Sequence, residues 1–211
     1  MAQRLRAKPN GTWNELKLLE AGDNIMYAFA LANNTDKPFY TVLEENPDRA
    51  RRFREAMSFF TIGDGYSLRH LTNGYPWNKV RGTVVDIGGS HGEAAFALAR
   101  CYPHLHLIVQ DLFDVVSNSK ERWSFNVKLM VHDFFQEQPM KEADVYLYRS
   151  ILHNWPDEYC IKILRALVPA LKKGAKVLVM DVVMPLYGVV PNNLEQKLRQ
   201  GQIFRVILLT G

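Results

Sequence analysis

The sequence is poor in cysteine and contains no long apolar run. Its two cysteines, Cys101 and Cys160, match no metal-ligand spacing, so free thiols in a reducing compartment are expected. No run of about 18 apolar residues is present, and no apolar signal core follows the basic N-terminal residues. The sequence therefore predicts neither a membrane partner nor a secretory signal, and we expect a cytoplasmic protein.

The charged residues are not concentrated in one basic or acidic block. The net charge is +4, and charged residues make up 23% of the chain, an ordinary share for a globular protein. The densest basic stretch, residues 49–54, alternates arginine with apolar residues as the exposed face of a helix does. We therefore expect no nucleic-acid partner. The length of 211 residues suits one domain with a sizeable core, or one domain with an appendage.

Residues 83–111 have the pattern of a strand, a glycine turn, a helix and a second strand. The first apolar run ends in Asp86 and the second ends in Asp111. Parallel strands buried on both faces need continuous apolar runs, and glycine lets the backbone turn sharply and approach a ligand closely. The pattern predicts a nucleotide-binding βαβ unit whose turn contains Gly88, Gly89 and Gly92.

The turn lacks the G-x-G-x-x-G spacing of a dinucleotide site. It reads D-x-G-G-S-x-G, and the carboxylate of Asp86 would repel a pyrophosphate. That carboxylate suits a ligand with partial positive charge, such as S-adenosylmethionine with its amino group and sulfonium. Asp111 can accept hydrogen bonds from two ribose hydroxyls and disfavours a 2′-phosphate. From these residues alone, a turn without a ligand and a dinucleotide site both stay open.

Further apolar runs predict three more parallel strands, at residues 127–131, 143–148 and 176–182. About 80 residues with mostly helical patterns come first, including helices that begin at Pro38 and Pro47. A last helix is predicted within residues 194–209. The predicted fold class is therefore α/β: a Rossmann-like, mostly parallel sheet of five strands with helices on both faces, preceded by a helical N-terminal segment.

Other candidate positions follow the third strand and precede the first. Asp133 and Phe134 offer an acceptor and an apolar face to an adenine ring, at the edge where open α/β sheets bind ligands. A helix N-cap is the other interpretation of Asp133.

The aromatic residues Tyr75 and Trp77 either line the mouth of a pocket or fill space between layers.

Arg149 and His153 lie four residues apart, just beyond the fourth predicted strand. Histidine has the unperturbed side-chain pKa nearest neutrality, so it can take a proton from a phenol. From spacing alone, a histidine that caps the following helix is the simpler interpretation.

Several motifs together resemble the class I S-adenosylmethionine-dependent O-methyltransferases of the plant caffeate and fungal secondary-metabolism type. These motifs are VVDIGGSHGEAAFALAR, QDL, HDFF and LHNWPDEYCIKILRALVPALKKGAKVLVMDVVMP, and the segments NNTDKPFYTVLEENPDRARRFREAMSFF and GYPW are similar to the fungal branch. The resemblance implies methyl transfer from S-adenosylmethionine to a hydroxyl of a small phenolic or polyketide-like secondary metabolite.

The resemblance also assigns cofactor-binding roles by position and implies no metal. The glycines of the turn would cradle the methionine part, Asp111 would hold the ribose, and Asp133 with Phe134 would contact the adenine. Arg149 stands where the family often has a cofactor-contacting lysine. The full candidate set for the cofactor is Asp86, Gly88, Gly89, Gly92, Asp111, Asp133, Phe134 and Arg149.

On the acceptor side, His153 would be the general base and Trp155 would lie in the wall of the acceptor pocket. Asn154, also placed beside the acceptor, replaces the usual aspartate, and Phe113 replaces the usual proline after QDL. The family continues beyond position 211 with acidic residues that orient the base. We therefore expect the fifth strand to be a sheet edge and His153 to lack its acidic orienter.

The implied domain organisation has two parts. Residues 1–80 would be a remnant of a helical dimerisation and lid region, and residues 81–211 the S-adenosylmethionine-binding domain without its C-terminal strands. A homodimer stays open. The alternatives to O-methylation are a non-catalytic cofactor-binding remnant that pairs with another chain, and a non-methylating reaction on the same fold.

Overall fold

The computed structural model describes residues 32–35, 37, 39–60, 67–117, 126–181 and 205–210. The part of the predicted helical N-terminal segment before residue 32 lies outside this range. Helices α1 (Phe39–Glu44) and α2 (Pro47–Phe60) begin one residue after Pro38 and at Pro47, as predicted. Phe39 and Phe53 pack edge to face with ring centroids 5.0 Å apart, which joins the two helices. A short helix α3 (Arg69–Gly74) and a 3-10 turn (Trp77–Lys79) lead into the sheet.

Six strands form one sheet at the centre of the fold. They are β1 (Thr83–Ile87), β2 (His106–Asp111), β3 (Val127–Val131), β4 (Val145–Arg149), β5 (Lys176–Asp181) and β6 (Arg205–Thr210), in the spatial order β3-β2-β1-β4-β5-β6. The first five strands pair in parallel, which confirms the predicted Rossmann-like α/β fold. The reversal of strand order lies between β1 and β4, where open α/β sheets bind ligands.

The sixth strand corrects two predictions about the end of the chain. Residues 205–210 form a strand, not part of a helix, and they pair antiparallel with β5 from Lys176↔Thr210 to Asp181↔Arg205. The predicted edge at β5 is therefore wrong. An apolar run of this length suits either element, and here pairing with β5 satisfies backbone groups that an edge strand would leave open. The rest of the predicted helix lies outside the described residues.

Helices cover both faces of the sheet because buried strand residues alternate between the faces. On one face, α4 (Glu93–Cys101) buries Ala95 and Leu98 against β1 and β2. On the other face, α6 (Asp157–Leu167) buries Ile163 and Leu167 against Tyr146 of β4. The short helix α5 (Phe113–Ser117) follows β2, and 3-10 turns span Leu152–Asn154 and Val168–Ala170.

The aromatic segment before β1 fills space between layers. The side chain of Trp77 is fully buried, and its Nε1 donates a hydrogen bond to the carbonyl oxygen of Leu71 at 2.7 Å. Tyr75 packs edge to face on Trp77, with ring centroids 4.8 Å apart. The pocket-mouth alternative is therefore wrong for Trp77. Leu71 and Trp77 belong to the core beneath the sheet, so this segment packs against the residues that follow position 80. The domain boundary near residue 80 stays a prediction.

None of the helices in the described ranges has the length and apolar character that crossing a membrane requires.

Candidate active site

The carboxyl ends of the parallel strands bring most of the predicted site residues to one edge of the sheet. The register pairs Asp86 of β1 with Val109 of β2 and with Leu147 of β4, so Asp86, Asp111 and Arg149 lie on neighbouring strands near their ends. The loops that follow β3 and β4 carry the other candidates, Asp133 with Phe134 and His153 with Trp155. This edge is therefore the candidate site.

The glycine turn holds its backbone against β1 and β2. Gly89 donates its N–H to the carbonyl oxygen of Gln110 at 3.1 Å. A Cβ at Gly89 would lie 2.6 Å from Asp86 Oδ2 and 2.8 Å from Val109 Cγ1, closer than real Cβ atoms approach. Gly92, the residue just before α4, has φ of +80°, a conformation that favours glycine. Position 89 therefore needs glycine for space, and position 92 needs it for conformation.

Asp111 is oriented by the same turn. Its Oδ2 accepts the backbone N–H of Ser90 and its Oδ1 that of Leu112, each at 2.8 Å. Burial raises the pKa of Asp111, and the two backbone N–H groups and the nearby His91 oppose that rise. A carboxylate has about four acceptor positions, so each oxygen keeps capacity for one more donor. The fixed carboxylate therefore fits two adjacent hydroxyls of a ribose.

Asp86 is buried beside the glycine turn and the first turn of α4. Its carboxylate accepts the N–H of Ala95 in the first turn of α4, and among the described residues its Oδ2 has no hydrogen-bond partner. Burial raises the pKa of Asp86 to about 7, with Arg149 opposing and Asp111 reinforcing the rise. The N-terminus of α4, which binds phosphate in dinucleotide sites, thus already faces a carboxyl group. This geometry disfavours a dinucleotide.

Arg149 supplies the positive charge at this edge. Burial lowers the pKa of its guanidinium, while the carboxylates of Asp86 and Glu93 oppose that change. The half-buried Arg149 therefore places a positive charge near these carboxylates. Its contact with a cofactor stays a prediction.

Asp133 holds a turn and does not begin a helix. Its Oδ1 accepts the N–H of Phe135 at 2.9 Å, and its carbonyl oxygen accepts that of Gln136 at the same distance. The structure assigns a turn here, so the helix N-cap interpretation is wrong. Phe134 lies beside the glycine turn, because a Cβ at Gly88 would come within 3.5 Å of its Cε1. The turn therefore presents an aromatic ring next to the glycines.

Trp155 belongs to an aromatic cluster with this turn. Its ring centroid lies 5.9 Å from that of Phe134 and 4.8 Å from that of Phe135, both edge to face. Tyr159 of α6 completes the cluster at 5.8 Å from Trp155. The cluster joins the turn after β3 to the turn after β4. Whether Trp155 also contacts an acceptor stays a prediction.

His153 pairs with an acid that the sequence analysis missed. Its Nδ1 hydrogen-bonds to Oδ1 of Asp181, and its backbone N–H donates to Oδ2 of the same carboxylate at 3.1 Å. The side chain of Asp181 is 8% exposed and that of His153 is 39% exposed, so the acid is buried behind a histidine that faces solvent. Asp181 therefore orients the imidazole of His153, and the prediction that this histidine lacks an acidic partner is wrong.

The turn that carries His153 is held on both sides. Ser150, at φ of +58°, donates its N–H to the carbonyl oxygen of Met180, and Asn154 Nδ2 donates to the carbonyl oxygen of Ser150 at 3.2 Å. Helix α6 begins at Asp157, and its N-cap residue, Pro156, provides no side-chain cap. His153 therefore does not cap that helix, and the simpler interpretation of its spacing is wrong. Asn154 uses its amide in the turn, and its contact with an acceptor is untested.

Within the described residues there is no group of three metal-ligating side chains.

The sequence signal for Asp181 was available, because the fifth apolar run ends in an acid as the first two do.

A Rossmann-like sheet with a glycine turn after β1 and an acid at the end of β2 is the architecture of proteins that bind a nucleoside-containing cofactor. The chain belongs to the O-methyltransferase family, since residues 18–207 match the O-methyltransferase domain of that family. The O-methyltransferase gsfB of Penicillium aethiopicum is 49% identical over 157 residues, which cover 74% of this chain and 38% of gsfB. The chain spans half or less of the length of other fungal O-methyltransferases that it resembles.

Solved structures share the fold. The O-methyltransferase NcsB1 from neocarzinostatin biosynthesis, in complex with S-adenosylhomocysteine and 1,4-dihydroxy-2-naphthoic acid, has a TM-score of 0.66 and 26% identity, over 84% of this chain and 52% of NcsB1. A pericyclic reaction enzyme has a TM-score of 0.62 and 25% identity, over 83% of this chain and 47% of that protein. The predicted family and fold are confirmed, and S-adenosylmethionine is the cofactor of the family.

Proposed function

We propose that this chain binds S-adenosylmethionine at the carboxyl edge of its sheet and O-methylates a small-molecule hydroxyl, with His153 as general base. One observation carries the proposal: the buried carboxylate of Asp181 holds Nδ1 of His153 at the edge where Asp111 and the glycine turn lie. A phenolic or polyketide-like metabolite is the acceptor class implied by the resemblance to the fungal secondary-metabolism O-methyltransferases. A homodimer and a cytoplasmic location stay predictions.

The residues fit the cofactor at three points. Asp111 has acceptor capacity for two ribose hydroxyls, the glycine turn packs its backbone closely beside Asp86 and β2, and Phe134 offers a ring beside that turn. The buried Asp86 suits the positive end of the ligand better than a phosphate. When bound, S-adenosylmethionine would supply a methyl group on a sulfonium.

The chain's own contribution to the reaction is proton transfer and orientation. With Nδ1–H donated to Asp181, the imidazole has its lone pair on Nε2, and no described residue hydrogen-bonds to that atom. Nε2 would take the proton of the acceptor hydroxyl, and Asp181 would stabilise the imidazolium that forms. The acceptor oxygen would thereby gain the negative charge that makes it nucleophilic.

The test is transfer of a labelled methyl group from S-adenosylmethionine across a panel of phenols, with the full 211-residue chain. His153→Ala should abolish transfer while leaving the affinity for S-adenosylhomocysteine nearly unchanged. His106→Ala is the matched control, because His106 is exposed at the start of β2, at the opposite edge of the sheet. Transfer retained in the His153 variant would remove the base assignment.

A second candidate is a non-methylating reaction, favoured by the likeness to the pericyclic reaction enzyme. It predicts conversion of the small molecule to an isomer of the same mass, with S-adenosylmethionine bound but not consumed. A non-catalytic cofactor-binding remnant predicts binding without conversion of any compound in the panel.

A further inference from the structure

We propose that a buried pair of amides, Gln110 and Gln138, positions the adenine half of the cofactor site. This inference rests on the proposed function, since it assumes that Asp133 and Phe134 face the adenine. The two glutamines take no part in deprotonating the acceptor and do not themselves touch the proposed ligand. They would act through the glycine turn and the loop after β3, which do touch it.

The two side chains hydrogen-bond to each other reciprocally. Gln110 Nε2 donates to Gln138 Oε1 at 2.8 Å, and Gln138 Nε2 donates to Gln110 Oε1 at 2.9 Å. Gln110 is 0% exposed and Gln138 is 2% exposed. Two antiparallel hydrogen bonds in a low-dielectric interior fix both the distance and the orientation of the segments that carry them. An apolar pair of the same volume would fill the space without that directionality.

Gln110 lies at the junction of the cofactor-facing elements. Its carbonyl oxygen accepts the N–H of Gly89 in the glycine turn, and the next residue is Asp111. The carbonyl oxygen of Asp111 in turn accepts the N–H of His132 at 2.9 Å. Residues 110 and 111 therefore hold the glycine turn on one side and the start of the loop after β3 on the other.

Gln138 fixes the far end of that loop. Its N–H donates to the carbonyl oxygen of Ala166 in α6, and its Oε1 also accepts the N–H of Met140 at 3.0 Å. The segment with Asp133 and Phe134 thus lies between an anchor at His132 and an anchor at Gln138. Both anchors are hydrogen bonds to residues of β2, the strand that ends in Asp111. The pair would therefore set the separation of the ribose and adenine positions.

The test compares Gln110→Met and Gln138→Met with the double variant, in the full chain. Each single variant leaves one buried amide without its partner, and the double variant removes both, so it should melt at or above the less stable single variant. If the two glutamines only fill the core, the affinity for S-adenosylhomocysteine should fall only in the variants whose melting temperature falls. If it positions the loop, the double variant should still bind S-adenosylhomocysteine and adenosine roughly tenfold more weakly than the unmodified chain.

Tyr102→Phe is the control for general destabilisation. The Tyr102 hydroxyl donates to the carbonyl oxygen of Thr72 at 2.8 Å, at the carboxyl end of α4 and outside the loop after β3. Its loss should lower the melting temperature without changing ligand affinity. Gln138→Asn keeps an amide but shortens the side chain by one methylene, so it loses its reach to Gln110 without adding a charge. It replaces any methionine variant that fails to fold and should also weaken binding.

Each outcome decides the matter. Weak binding by a folded, thermally stable double variant, or by Gln138→Asn where that variant fails to fold, supports the positioning role. Affinity equal to that of the unmodified chain, or an equal loss in Tyr102→Phe, overturns it. Failure of the unmodified chain to bind S-adenosylhomocysteine refutes the proposed function itself, and with it the premise of this inference.

Discussion

Replacing Asp181 by asparagine should disable His153 without removing it. Asparagine keeps the shape of the side chain, and its Oδ1 can still accept the backbone N–H of His153, which lies 3.1 Å from the carboxylate. Its amide nitrogen would then face Nδ1 of the imidazole. Because that nitrogen donates, Nδ1 must become an acceptor, and the proton moves to Nε2. The lone pair that should receive the acceptor's proton is lost.

The size of the effect follows from the contact. Loss of a hydrogen bond to a charged group costs about 1.5–3 kcal/mol, which is roughly 10- to 150-fold in rate if it acts wholly in the transition state. The wrong tautomer adds to this, so kcat should fall by roughly 10² to 10⁴-fold, the range of general acid–base contributions. The affinity for S-adenosylhomocysteine should stay within about twofold, because Asp181 hydrogen-bonds to His153 and not to the glycine turn.

Two assays check this prediction. Labelled methyl transfer gives kcat, and ¹⁵N–¹H NMR correlation of the imidazoles gives the tautomer, with the His153→Ala spectrum as the assignment control. The unmodified chain should show the proton on Nδ1, and Asp181→Asn should show it on Nε2. An unchanged tautomer with a large loss of rate would refute the reasoning, and so would a full rate with the tautomer reversed.

Two further changes probe the cofactor edge. Gly89→Ala should lower the melting temperature and abolish binding of S-adenosylhomocysteine, because its Cβ would lie 2.6 Å from Asp86 Oδ2; normal binding by this variant would contradict the close approach. Asp86→Asn should stabilise the chain more at pH 8 than at pH 5. The pKa of Asp86 is about 7 in the folded chain and 3.8 ordinarily, so the unmodified chain loses stability as the pH rises from 3.8 to about 7. Thermal melts at both pH values test this, and a constant difference would count against a protonated Asp86.

Much of the sheet could be predicted because its signals are local. The runs that end in Asp86 and Asp111 are continuous and apolar, and the glycines between them permit the turn that the fold requires. The helix at Pro47 also has its start signal in the first turn. Such features depend on neighbouring residues, so a sequence is sufficient to locate them.

The missed features depend on pairs that are distant in the chain. Asp181 and His153 are 28 residues apart, and only the adjacency of β4 and β5 brings them together. Gln110 and Gln138 are separated by the same number, and nothing in the local pattern of either residue predicts an amide pair. The assignment of the orienter to residues beyond 211 followed the resemblance and overlooked an acid already present at the end of β5.

The segment 205–210 shows a different limit. Its apolar run is short and lies between Gly201 and Gly211, which favours a strand, but it lacks the regular alternation of apolar and polar residues that identifies a strand by periodicity. Backbone pairing with β5 decides, and that pairing is a tertiary contact.

The central claim is that the carboxyl edge binds S-adenosylmethionine through Asp111, and calorimetric titration of the full chain with S-adenosylhomocysteine tests it most directly. The account predicts one site per chain, a loss of roughly tenfold or more in affinity for Asp111→Ala through two missing ribose hydrogen bonds, and no response to NAD⁺. Absence of binding to the folded chain, or equal affinity for the Asp111 variant, would contradict it.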